Sequence, residues 1–142
     1  MANVGLVYHP DFLKHKTGHM HPERPERLTS IMSLLEEERL TEKLTLIEPE
    51  PADEFWITSV HSPQHVASLR AVGTQVGDDL AYVDGDTPMS QDSLQVAFLA
   101  VSGVLAGIDA VMNGTVRSVF CAIRPPGHHA EPTRAMGFCF FN

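Results

Sequence analysis

Ser118-Val119-Phe120-Cys121-Ala122-Ile123-Arg124-Pro125-Pro126-Gly127-His128-His129-Ala130-Glu131 is the stretch on which the fold turns. Residues 118–123 form a short apolar run that follows the Asn113-Gly114 stop signal, and they predict a buried strand of the parallel-sheet kind. Two adjacent prolines then forbid a helix, because each ring holds φ near about −65° and pushes the preceding residue into extended conformation. Gly127 supplies a pivot, and the pair His128-His129 follows it directly. Imidazole both takes and gives a proton near neutral pH, so a stiff arm ending in two of them has the makings of a proton-transfer site. The arm springs from the carboxyl end of a strand, where open α/β sheets bind their ligands.

Working outward, the upstream sequence alternates strands and helices. Val4 to Tyr8 is an apolar run closed by His9-Pro10 and reads as a buried strand; residues 9–21 read as a polar loop. Pro25 suits a first helical turn, and Leu28, Ile31, Met32 and Leu35 recur at helical spacing with Glu36, Glu37 and Glu38 on the wet side. Leu44 to Ile47 is a second strand, ended by Pro49 and Pro51. Residues 52–60 and 62–72 predict two short helices, the second capped by Ser62 with Pro63 in its first turn. Residues 73–90, with Asp78, Asp79, Asp84 and Asp86, read as a surface loop.

From Gln91 to Met112 a long helix is apolar on nearly every face, which implies burial between layers. Its interruptions by Ser102, Gly103, Gly107 and Asp109 argue against a membrane span. The expected class is α/β with a mostly parallel sheet. There is no repeat, linker or low-complexity tract, and 43% apolar residues over 142 positions suffice for a core. Only three strands are in view, fewer than an open sheet normally uses, and the chain closes on the apolar run Phe138 to Phe141. One part of a larger domain is therefore expected.

The net charge of −8 disfavours a direct nucleic-acid surface and suits a cationic substrate such as a basic protein tail or a polyamine. Cys121 and Cys139 are too few for a disulfide framework, and residues 1–12 lack the pattern of a signal peptide. Both features point to the cytoplasm.

Arg124 to Glu131, together with Met136-Gly137-Phe138-Cys139-Phe140-Phe141-Asn142, resembles the zinc-dependent deacetylase family that includes histone deacetylases, acetylpolyamine amidohydrolases and acetoin-utilisation proteins. His19-Met20-His21-Pro22-Glu23-Arg24-Pro25-Glu26-Arg27-Leu28 resembles the family's N-terminal segment in its class II and bacterial branches. The resemblance implies a three-layer α/β/α, arginase-like fold longer than this chain, of which residues 1–142 are the N-terminal portion. It implies hydrolysis of an acetylated lysine or polyamine. It also implies a Zn²⁺ held by two aspartates and a histidine, the first two of these ligands in an Asp-x-Asp-x-His segment that no residue here matches. The zinc ligands, the orienting aspartates and the oxyanion tyrosine are all expected downstream of Asn142.

What the resemblance carries onto this chain is the other half of a site. His128 and His129 match the tandem histidines, with His129 as the base toward the attacking water and His128 as charge stabiliser or acid. Gly137 and Phe138 match the wall of a narrow tunnel suited to an aliphatic stem. Arg27 matches an arginine at the tunnel foot, with a helix-face ion pair as its competing role. Asp86, or else Asp84, matches a rim aspartate. His65 departs from the family, which commonly carries Tyr there, and a packing role is expected for it.

Two other readings come from the residues alone. His9, His15, His19 and His21 could serve a non-catalytic metal- or partner-binding module, and Cys139 with His129 could form a cysteine hydrolase pair.

Overall fold

A computed structural model describes residues 3–142. In chain order its elements are β1 (Val4–Val7), α1 (Glu26–Glu37), β2 (Leu44–Ile47), α2 (Glu54–Thr58), α3 (Pro63–Gly73), β3 (Ala81–Asp84), β4 (Thr87–Met89), α4 (Ser93–Met112) and β5 (Ser118–Cys121). Short 3-10 turns lie at Pro10–Lys14 and Thr41–Lys43. Every strand and helix expected from hydrophobic pattern is present, with Ser62 capping α3 as expected, but β5 is not the buried strand expected, since Ser118 and Phe120 are exposed. Ser62 accepts the His65 N–H at 3.1 Å, and Asp53 accepts the Phe55 N–H at 2.9 Å.

β2, β1 and β5 form a parallel sheet in that order, with Val7 opposite Ile47 on one side and Cys121 on the other. Because side chains alternate across a strand, Val7, Val119 and Cys121 share one face and Leu6 and Leu44 the other. The first face takes α4. Gly103 and Gly107 are the contact points, where a Cβ would stand 2.9 Å from Val7 Cγ1 and 3.2 Å from Val119 Cγ1, so the helix interruptions are its packing surface. The second face takes α1 through Leu28, Ile31, Met32 and Leu35. The result is helix, sheet, helix, the three layers expected.

α4 serves two cores. Val96, Leu99 and Ala100 join Leu6, Phe12 and Ala122, whereas Ala97 with Leu94, Phe98 and Val101 joins Ile57, Val66, Leu69, Met89, Phe140 and Phe141. The expectation that its interruptions disqualify it as a span needs correction: by length and composition the helix is apolar enough to cross a bilayer. Its packing against the sheet, rather than its sequence, gives it a place as a layer. Val104, Ile108 and Met112 stay exposed on its outer side, and an apolar cleft of about 380 Å³ runs from Val104 past Trp56 to Phe141.

Two segments differ from the loops expected of them. Within residues 9–21, His9 caps a 3-10 turn by accepting the Asp11 N–H, and Phe12, His15 and Thr17 are buried. Within residues 73–90, β3 and β4 form an antiparallel hairpin around Gly85, and Thr87, Pro88 and Met89 are all buried. Residues 74–80, with Asp78 and Asp79, and the hairpin tip at Gly85-Asp86 remain the surface loops expected. Polar composition conceals both, since in each case a few inward side chains hold a mostly hydrophilic segment down.

Candidate active site

The strand β5 leaves the sheet with the Ala122 N–H bonded to the Val7 carbonyl at 2.9 Å, so the carboxyl ends of β1 and β5 stay side by side. Arg124 comes next and is completely buried. Its Nε and Nη2 fork onto Glu23 Oε1 and Oε2 at 3.0 and 2.9 Å, and its Nη1 donates to the carbonyls of Phe12 and His15 at 2.8 and 2.6 Å. One guanidinium thus ties together the segment after β1, the segment before α1 and the root of the histidine arm. Planar bidentate recognition of this kind is what arginine offers and lysine does not.

Glu23 is itself buried and has further neighbours. Arg27 Nη1 donates to its Oε1 at 3.1 Å, and His15 Nε2 faces its Oε2 across 3.5 Å, the long limit of such a bond. Burial alone would raise this carboxyl, but hydrogen bonding to His15 and Arg124, with the guanidinium's charge, holds it down to about 2. Burial also depresses the His15 pKa and keeps the ring neutral despite Glu23. Neutral His15 can then accept the Ser93 hydroxyl at Nδ1 over 2.6 Å, and Ser93 Oγ accepts the Ser90 N–H at 2.8 Å.

Beyond the arm, the rings of His128 and His129 lie 4.4 Å apart, centroid to centroid, at 53° to each other. Both are exposed at a cavity of about 330 Å³ whose lining includes Glu23, Arg27, Gly137 and Phe138. The second half of the motif positions them. Met136 and Cys139 exchange backbone hydrogen bonds, and the two residues between them, Gly137 and Phe138, have φ of 58° and 71°. Two successive positive φ values are what a type I′ turn demands. The turn brings Gly137 so close to His129 that a Cβ would lie 2.8 Å from the His129 Cβ and Cγ. Gly137→Ala therefore strains the backbone and displaces the histidine together, and we expect it to lower unfolding stability by about 1–3 kcal/mol. Urea unfolding of this variant at the wild-type midpoint would contradict that geometry.

The remaining residues singled out from sequence fall as follows. Arg27 lines the same cavity as the histidines, half exposed, with its guanidinium in the i, i+4 ion pair with Glu23. Asp86 immediately precedes β4, exposed and outside the lining of that cavity; its carboxylate accepts the Thr87 hydroxyl at 3.1 Å and its carbonyl accepts His21 Nε2–H at 3.2 Å. His21 also packs edge-on against Phe138 at 4.7 Å. Asp84 closes β3 on the far side of the hairpin turn.

Neither competing reading is supported by this placement. His9 caps a turn, His15 is buried against Ser93, and His21 spans Glu23 and Asp86; among the described residues no three His, Cys, Asp or Glu side chains converge to hold a metal ion. The same observation means that the zinc the resemblance implies has no fitting ligand set within the described residues. Cys139 is buried, its Sγ accepting the His129 N–H at 3.4 Å and facing the Gly137 carbonyl at 3.3 Å, and burial pushes its thiol pKa up. A thiol so held is a spacer under the tandem histidines, since nucleophilicity needs an accessible thiolate.

Sequence reasoning missed Glu23, Arg124, His15 and Thr87 as parts of this neighbourhood. No local pattern joins Glu23 to a partner 101 positions away. For Thr87 a signal existed: Asp84-Gly85 between short apolar runs is a hairpin cue. His65 is also more than packing, because its Nε2 bonds the Phe140 carbonyl at 2.8 Å. His61 accepts the Asn142 N–H at Nε2 over 2.8 Å and donates from Nδ1 to the Glu131 carbonyl at 2.9 Å, so it must be neutral to do both. Burial holds its pKa down accordingly.

These shifts set a pH dependence. The unfolded chain protonates His15 and His61 near their ordinary 6.5 while the folded chain resists, so stability is complete above 6.5 and declines as pH falls below it. Glu23 adds a second loss, from its ordinary 4.5 down to about 2, because there the unfolded carboxylate takes a proton that the folded one refuses. Thermal melts should hold between pH 8 and 7 and fall progressively through pH 6, 5 and 4. A Tm that stays level down to pH 5 would remove both histidines from the argument.

Against known proteins, the histone deacetylase domain model matches residues 21–142. A probable deacetylase of Archaeoglobus fulgidus is 36% identical over 98% of this chain and 38% of its own length. The polyamine deacetylase HDAC10 of Homo sapiens is 32% identical over 98% of this chain and 22% of its own. The crystal structure of the HDA15 HD domain superposes with a TM-score of 0.91 at 26% identity, covering all of this chain and 41% of that one. The chain thus spans less than half the length of each. A sheet of this order, this helical layering and a match over residues 21–142 make one assignment: the chain belongs to the histone deacetylase domain family.

Proposed function

We propose that the protein hydrolyses an acetylated amine, either an acetyl-lysine of a protein such as a histone or an acetylpolyamine, to acetate and the free amine. The observation that carries this is the pair of imidazoles 4.4 Å apart on a cavity shared with Phe138. His129 takes the proton of the attacking water as the new carbon–oxygen bond forms, and the carbon–nitrogen bond breaks as a proton reaches the departing amine, with His128 stabilising charge beside it. The Phe138 ring offers an apolar wall to the methylene stem of the substrate, which has no charge to solvate once acetylated. Relatives named as deacetylases, among them one named for polyamines, support the reaction class. The acidic balance of the chain, −8 overall, favours a cationic molecule around the acetylated site.

The zinc ion that accompanies this chemistry in our reading takes its ligands from polypeptide outside residues 1–142, which form the N-terminal portion of one deacetylase domain. Two widely spaced free cysteines, Cys121 and Cys139, fit a cytoplasmic setting.

The test has two arms, each with zinc and both an acetyl-lysine reporter peptide and an acetylpolyamine. The full-length protein should release acetate from at least one substrate, and residues 1–142 alone from neither. Turnover by the 142 residues alone would overturn the division of the site, and inactivity of the full-length protein would overturn the function.

A further inference from the structure

We infer that Thr87 is a positioning residue of the proposed deacetylase site, setting the apolar wall and the acidic rim at one fixed spacing. The inference rests on that functional reading. Thr87 lies on β4 with no exposed surface, in a hairpin whose sequence pattern reads as a loop. A buried threonine usually spends its hydroxyl on its own backbone. This one does not. Its Oγ1 accepts the Phe138 N–H at 3.1 Å and its O–H donates to Asp86 Oδ1 at 3.1 Å.

Of the two partners Phe138 lines the cavity, while Asp86 is exposed outside its lining, next to Thr87. Phe138 lines it beside His128, His129 and Gly137, and holds a φ of 71°, a conformation that a side chain of this size adopts only under constraint. Strain of this kind persists where surrounding structure overdetermines it. Three contacts do so here: the Met136–Cys139 backbone pair closes the turn, the His21 ring abuts the Phe138 ring, and Thr87 takes the Phe138 N–H, which the turn itself does not use. Through the same oxygen the Asp86 carboxylate is oriented. A single hydroxyl with one donor and two acceptor sites is the smallest group able to hold an N–H and a carboxylate together. Valine has the same shape and neither capacity.

The consequence is a specific separation of effects. Thr87→Val frees the Phe138 N–H and Asp86 without changing core volume, while the Met136–Cys139 backbone pair still closes the turn beneath His129, so substrate should bind less well with the proton-transfer pair held in place. We expect kcat/KM of the full-length, zinc-supplied protein to fall roughly tenfold, carried by KM, with kcat nearly unchanged. Thr87→Ser, which keeps the hydroxyl and loses only a methyl group, should restore KM even though it opens a small void and lowers Tm. Amide hydrogen exchange at Phe138 should be accelerated in the valine variant and protected in the serine variant.

A merely structural threonine predicts the opposite pattern, with both variants destabilised alike and KM indifferent to which was made. That pattern, or wild-type KM and Phe138 protection in Thr87→Val, would overturn the inference while leaving the proposed function standing. Absence of turnover in the unsubstituted full-length protein would remove the function and this inference with it.

Discussion

Glu23→Leu should destabilise the fold by about 3–5 kcal/mol, the range for breaking one side of a buried ion pair. The reason is what it leaves behind. Arg124 is fully buried and donates to Glu23 twice, so removal of the carboxylate strands a guanidinium whose Nε and Nη2 have no other partner among the described residues. Its remaining bonds, to the Phe12 and His15 carbonyls, satisfy Nη1 but do not neutralise the charge. Arg27 offers the control. Its contact with the same carboxylate is half exposed, so Arg27→Ala should lose less than about 1 kcal/mol despite a similar distance. Replacing both buried partners, as Glu23→Leu with Arg124→Leu, should cost less than Glu23→Leu alone, because no charge is then left unpaired. Urea unfolding of the four proteins measures this, and equal effects from Glu23→Leu and Arg27→Ala would show that burial does not govern the network.

The same network marks the boundary of what could be read from residue order. Elements with a local hydrophobic signal were legible: β1, β2 and β5 as apolar runs, α1 by its three- and four-residue spacing, α4 by apolar residues on nearly every face. Each depends on neighbours within a dozen positions. Glu23 looked like one more charged residue in a Pro-rich segment, and Arg124 like the lead-in to two prolines, because nothing local announces a partner across the fold. His15 misled for the converse reason: histidines in polar stretches are commonly solvated, whereas this one is anchored by Ser93 from α4. His128, His129, Gly137 and Phe138 were legible only as a motif. That they share one cavity depends on a left-handed pair at 137–138 that only the glycine half of the sequence hints at.

The largest functional effect should come from His129→Ala, which in the full-length protein supplied with zinc should lower kcat by at least ~100-fold with KM little changed, the signature of a lost general base. His129 is the better fixed of the two histidines. Its N–H is tied to Cys139 Sγ and its side chain lies so close to Gly137 that no Cβ fits between them, so its backbone is held where its ring meets the cavity. A proton acceptor works only within hydrogen-bond reach of the group it serves, and that precision is what the Met136–Cys139 turn provides. Cys139→Ala supplies the comparison: it removes the sulfur from beneath His129 but no proton-transfer group, so it should lower stability while retaining most of kcat. A cysteine nucleophile would instead make Cys139→Ala lose kcat as well, and a wild-type kcat in His129→Ala would detach the tandem histidines from the chemistry altogether.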